Sequence, residues 1–274
     1  MLNSVDISGR TYNIDPTPID ISVPLRFNEP QPNAYGVEAA SSVACAAGEL
    51  VGDTRQGGSC NFEKYTFIPH CNGTHTECVG HITNDRISVR DCLQDIFIPA
   101  VLTTTATAYA AETDEKYSMP IQPSDRVITK RLLHEALGGK ADSFRRPVAA
   151  LVVRTLPNDD RKLVRQYADS IPPYFTTEAM EYVVECGFKH LLTDLPSIDR
   201  LYDEGRLSNH RTFWSVQQGS FKSDYTTRRS STVTEFIYVP NAVADGRYLL
   251  NLQIAPFESD ASPSRPILFR ITEK

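Results

Sequence analysis

Four side chains able to hold a divalent metal, Cys71, His75, Glu77 and His81, fall within eleven residues of this chain. Few features constrain a fold more tightly, because the backbone must aim donors from one short stretch at a common point. In an extended strand residues two apart share a face, so Cys71, Gly73, His75 and Glu77 would line one side, with Gly73 leaving room between them. Val79-Gly80 then gives the chain a place to turn and return the His81 imidazole to the same ion. The competing reading is a scatter of ordinary polar residues. Against it, three of the six histidines (His70, His75 and His81) lie within twelve residues.

Bulk properties narrow the classes. With 274 residues, 41% hydrophobic and 23% charged, the composition is globular and fits a single domain over 1–274. A formal net charge of -6 offers no broad basic field, so nucleic acid is not expected as a partner. The longest apolar runs, such as Val148 to Val153, fall far short of the roughly 20 residues a membrane span needs. The first residues lack the basic start and apolar stretch of an export signal, and six sparse cysteines show no C-x-x-C spacing. A cytoplasmic protein with reduced thiols is the expectation.

Strand and helix signals alternate along the chain. Thr11 to Ile14 and Ile19 to Val23 read as short strands among prolines. From Ser124, Val127, Ile128, Leu132, Leu133 and Ala136 keep a helical spacing that stops at Gly138-Gly139. Val148 to Val153 reads as a buried strand, and Leu163 to Ala168 as part of a short helix. Thr177 opens a helix that ends at Gly187, followed by a strand from Phe188 to Leu192. Val233 to Val239, Tyr248 to Ile254 and Ile267 to Ile271 have strand length and strand composition. These signals together predict a mixed α/β fold, richer in strand than in helix.

The segment from Cys71 to His81 resembles the signature His-x-Gly-Thr-His-x-Asp-x-Pro-x-His of the cyclase-type amidohydrolases, which include bacterial kynurenine formamidases and isatin hydrolases. Gly73, Thr74, His75 and His81 fall in register, whereas Cys71, Glu77 and Val79 replace histidine, aspartate and proline. Asp20 to Leu25, Thr193 to Asp199, and Asn209-His210 with the later Glu235 look similar to further stretches of that family. The resemblance implies a mixed-sheet, swivelling β/β/α-type fold. It also implies a metal set of Cys71, His75, Glu77, His81, His210 and Glu235, holding one or two zinc or manganese ions.

Glu235 has separate support, since it shares a strand face with Val233, Ile237 and Val239, where an unpaired carboxylate would be costly. The opposite reading buries Thr234, Phe236 and Tyr238 and leaves Glu235 in water. At Cys71, strict alternation favours the thiolate over the neighbouring His70, unless the chain bulges or neither residue binds.

The family's chemistry implies hydrolysis of an amide, an aryl formamide or a cyclic amide, by metal-activated water, with His81 or His210 moving the proton. Two rivals stand beside it: a cysteine nucleophile formed by Cys71 and His75, and a degenerate member that binds a small ligand or metal without turnover. A small amide substrate and a homodimer or homotetramer are the expected partners. Tyr65, Phe67 and Trp214 are possible pocket walls, although isolated aromatics are more often core, and His134 and His190 read as structural.

Overall fold

The computed structural model describes residues 3–7, 9–138, 148–168 and 170–274. Its frame is an 11-stranded mixed sheet. In chain order the strands are β1 (Ser4–Ile7), β2 (Arg10–Ile14), β3 (Ile19–Asp20), β4 (His75–Glu77), β5 (Phe97–Thr105), β6 (Ala150–Thr155), β7 (His190–Thr193), β8 (Thr232–Glu235), β9 (Gly246–Asn251), β10 (Ala261–Pro263) and β11 (Ile267–Glu273). They lie in the order β1-β2-β11-β9-β5-β6-β7-β8-β4-β10, with β3 paired to β11. Four central strands, β5, β6, β7 and β8, run parallel, and the wings on either side are antiparallel.

Burial explains why the parallel strands read as continuous apolar runs. Val101, Leu151, Val153, Leu191 and Val233 face one core, while Ile98, Ala100, Leu102, Ala150, Val152 and Leu192 face the other. The first core is covered by helices. Leu133 comes from α2 (Lys130–Ala136), Met180 and Val183 from α3 (Thr177–Glu185), and Phe213 and Trp214 from α4 (Ser208–Trp214). Leu250, Leu268 and Ile237 fill the second core. The strand-rich α/β expectation holds.

Several local expectations shift for identifiable reasons. Residues 126–128 form a strand of a small second sheet, and α2 begins only after Thr129, whose hydroxyl caps it by accepting from the Leu132 amide. Gly138 follows α2 at φ 64, whereas Gly139 lies outside the described residues. α3 runs as expected from the Thr176 cap, and Gly187 follows it at φ 80. The short helix expected over Leu163 to Ala168 is instead a 3-10 turn at Asp160–Leu163, after which Gln166 bridges to Asn33. β5, the longest strand of the sheet, has no counterpart in the sequence reading.

Candidate metal centre

The centre is assembled where β4 and β8 pair. Their antiparallel register sets His75 opposite Glu235 and Glu77 opposite Val233, so alternation puts His75, Glu77 and Glu235 on one face. Thr76 points the other way and hydrogen-bonds Thr234 at 2.8 Å. Just before β4, Pro69 opens α1 (Pro69–Asn72), a single helical turn that carries His70 and Cys71. After β4, a 3-10 turn over Val79–Ile82 brings His81 back. Gly80 is required there, because a Cβ at that position would sit 2.2 Å from the Ile87 carbonyl oxygen. His210 arrives from α4.

Each imidazole sets one nitrogen against a carbonyl or carboxylate oxygen and presents the other to Glu77 or Glu235. His210 Nδ1 bonds Asp199 at 2.6 Å and its Nε2 bonds Glu77 Oε1 at 2.8 Å. His75 Nδ1 contacts the Gly73 carbonyl at 3.1 Å, and its Nε2 stands 3.6 Å from Glu235 and 4.0 Å from Glu77. His70 Nδ1 lies 2.9 Å from Glu77 Oε2 and its Nε2 bonds Asp260 at 2.8 Å. His81 Nε2 is 3.9 Å from Glu77 Oε2, with Nδ1 3.4 Å from Asp260. Glu235 accepts the Ile198 amide at 2.8 Å.

The electrostatics of this cluster are unbalanced. Burial and the neighbouring Glu77 carboxylate raise Glu235. Burial opposes ionisation of Glu77, but His81 and His210 more than offset it and hold its carboxyl well below the usual range. Burial and the positive charge of His70 push His75 down to about 3, leaving it neutral. Burial also opposes a charge on His70, yet its bond to Asp260 and the nearby Glu77 carboxylate prevail and push it up to about 10.

Two buried atoms, His75 Nε2 and Glu77 Oε2, have no hydrogen-bond partner; the close His70 nitrogen lies off a donor direction to Oε2. Orphaned buried polar atoms are costly, and these two are a lone pair and a carboxylate oxygen aimed into one space. A divalent cation resolves both the orphans and the carboxylate repulsion. Donor atoms of His75, Glu77 and Glu235 all lie within 4.8 Å of one another, as do those of His70, Glu77 and His81. The residues fit a metal, with Glu77 common to both groups.

The structure therefore gathers His75, Glu77, His81, His210 and Glu235 as a set, and adds His70, Asp199 and Asp260. It does not gather Cys71. The expectation of a strand running from Cys71 through Glu77 fails because Pro69 starts a helical turn, and one residue along a helix rotates the side chain by about 100° rather than reversing it. His70 thereby faces Glu77, and Cys71 packs with Ala34, Tyr167, Leu201 and Phe236. Burial and the Glu235 carboxylate push the Cys71 thiol up to about 11, and His75 Nδ1 is committed to Gly73, so no Cys71–His75 nucleophile pair forms.

Gly73 leaves no needed room either: its backbone is extended, and a Cβ there would meet its nearest atom at 3.7 Å. At Glu235 both faces of the strand are buried, and the expected run to Val239 ends at Phe236, which adopts φ 55. Trp214 is core, packed beside His210 with its Nε1 donating to the Ser231 carbonyl. Tyr65 and Phe67 instead belong to an aromatic group with Phe27 and Phe257. His134 lies tilted against Tyr182, with ring centroids 5.8 Å apart, and His190 is buried between Thr232 and Asp95.

Comparison with known proteins follows the same line. Residues 19–200 match the family model Cyclase, described as "Putative cyclase". The chain is similar to a kynurenine formamidase of Bacillus cereus, 23% identical over 255 residues covering 91% of this chain and 96% of that protein. Among solved structures, it resembles isatin hydrolase A from Labrenzia aggregata, at TM-score 0.57 and 15% identity, covering 92% of this chain and 93% of that one. A structure described as a potential metal-dependent hydrolase with cyclase activity aligns at TM-score 0.57 and 14% identity, covering 93% and 98%.

Proposed function

The chain belongs to the Cyclase family, and from that premise we propose that it is a metal-dependent hydrolase of an amide carbon–nitrogen bond. The substrate class we infer is an aryl formamide or a cyclic amide, as the names of the kynurenine formamidase and isatin hydrolase relatives suggest. One observation carries the reading: four imidazoles, each with one nitrogen turned to Glu77 or Glu235, surround two buried carboxylates, and His75 Nε2 and Glu77 Oε2 have no hydrogen-bond partner.

His75, Glu77 and Glu235 would hold one divalent ion, and Glu77 with His70 and His81 a second. Such an ion supplies Lewis acidity, making water a better nucleophile at neutral pH and polarising the amide carbonyl. The protein's own groups do the rest. In hydrolysis a water oxygen adds to the carbonyl carbon, the carbon–nitrogen bond breaks, and the nitrogen takes a proton. With only the first ion in place, His81, about a quarter exposed at the rim, can pass that proton through Nε2; with the second ion bound, that nitrogen is a ligand. His210 is buried with both nitrogens engaged, so it holds Glu77 and does not exchange protons with solvent.

Turnover of an aryl formamide and of isatin by the purified chain tests this reading. Activity on at least one, abolished by a chelator and restored by zinc or manganese, is expected. Metal-loaded protein that hydrolyses neither compound, or turnover indifferent to chelation, would overturn it.

A further inference from the structure

Asp260 is a carboxylate that no local sequence pattern marks, yet it stands behind two of the imidazoles. Its Oδ2 lies 2.8 Å from His70 Nε2 and 3.4 Å from His81 Nδ1, while the opposite nitrogens of both rings turn toward Glu77 Oε2. The two rings stack at 4.2 Å between centroids with an interplanar angle of 29°. One oxygen thus addresses two nearly parallel rings from the side away from the centre.

Asp260 is itself fixed. It precedes β10, the edge strand paired to β4, and its carbonyl oxygen accepts the Cys78 amide at 3.0 Å. The Ser259 hydroxyl donates to its Oδ1 at 3.1 Å. A Cβ on Gly80 would come within 3.3 Å of the Asp260 Cβ, so the turn that carries His81 lies directly against it.

Resting on the metal reading above, we propose that Asp260 is a positioning residue that aims His70 and His81 together at Glu77. The outer donor group of this chain is then His70–Glu77–His81 with Asp260 behind it. Cys71 has no part in it. The physical reason is the tautomer: a carboxylate accepting a ring N–H leaves the lone pair on the other nitrogen. Because Asp260 bonds Nε2 of His70 at 2.8 Å and lies 3.4 Å from Nδ1 of His81, it favours opposite tautomers once a metal takes the inner nitrogens, Nε2–H on His70 and Nδ1–H on His81.

Two measurements on the full chain test this. In the zinc-loaded parent, nitrogen NMR of the imidazoles should find the proton on Nε2 of His70 and on Nδ1 of His81; the same tautomer on both would overturn the proposal. In chelator competition, Asp260→Ala should weaken the most loosely held zinc roughly 10- to 100-fold, the usual effect of removing such a partner. Glu258→Ala, at an exposed neighbour, should leave it unchanged. Unaltered affinity in a folded Asp260→Ala protein contradicts the positioning role, whereas a parent that binds no zinc contradicts the underlying metal reading instead.

Discussion

Replacing Cys71 with alanine separates packing from ligation. The side chain is 6% exposed and packs among Ala34, Tyr167, Leu201 and Phe236, so its loss forfeits burial of one methylene-sized group, about 0.8 kcal/mol. A sulfur-sized void of roughly 25 Å3 adds about 0.6 kcal/mol. The sum, about 1.4 kcal/mol, lowers Tm by about 3–6 °C in a chain of this size. A ligand would behave differently. Metal at 100 to 1,000 times its Kd stabilises a folded protein by about 3–4 kcal/mol, and losing a ligand removes much of that increment. Thermal melts of apo and zinc-loaded protein, parent and Cys71→Ala, distinguish the cases. Both forms of the variant should melt lower by the same few degrees, with the zinc-induced rise intact. A zinc-induced rise that collapses in Cys71→Ala would refute the reading of Cys71 as a packing residue.

Other outcomes follow from the same geometry. Glu77→Gln should lose most bound metal and most turnover while its far-UV circular dichroism stays that of the parent, because Glu77 alone belongs to both donor groups; a variant with full metal content would contradict that. Burial depresses the His190 imidazole to about 4, below its usual value near 6.5 in an unfolded chain. Above about pH 6.5 the residue is neutral in both states, and as pH falls from there toward 4 only the unfolded chain takes the proton, so stability drops by about 1.4 kcal/mol per pH unit. Urea unfolding at pH 7 and pH 5.5 should show a smaller acid loss in His190→Gln than in the parent; equal losses would show that His190 does not titrate this way.

The sheet and the site were legible to different depths. The buried parallel strands at Val148 to Val153 and Phe188 to Leu192, and the capped helix from Thr177, declare themselves through short-range apolar patterning and turn residues. β5 did not, since its second half is Val101-Leu-Thr-Thr-Thr, and buried threonines read as polar in sequence although Thr103 and Thr105 are almost wholly buried here. His75 and Glu77 could be placed because alternation holds over β4. Cys71 departs from its expected place because strand alternation does not reach back to it: Pro69, a residue that suits the first position of a helix, starts a helical turn there. Asp199 lay within a stretch already singled out, but its bond to His210 joins a loop to a helix. Asp260 reaches the site only through the pairing of β10 with β4, a contact across more than 180 residues that no local pattern encodes.

The central claim is that this constellation of imidazoles and carboxylates exists to hold metal, and elemental analysis of the folded chain tests it most directly. Protein purified without chelator, supplemented with zinc or manganese and then desalted, should carry one or two divalent ions per chain. Less than about a tenth of an ion per chain after supplementation would contradict the account.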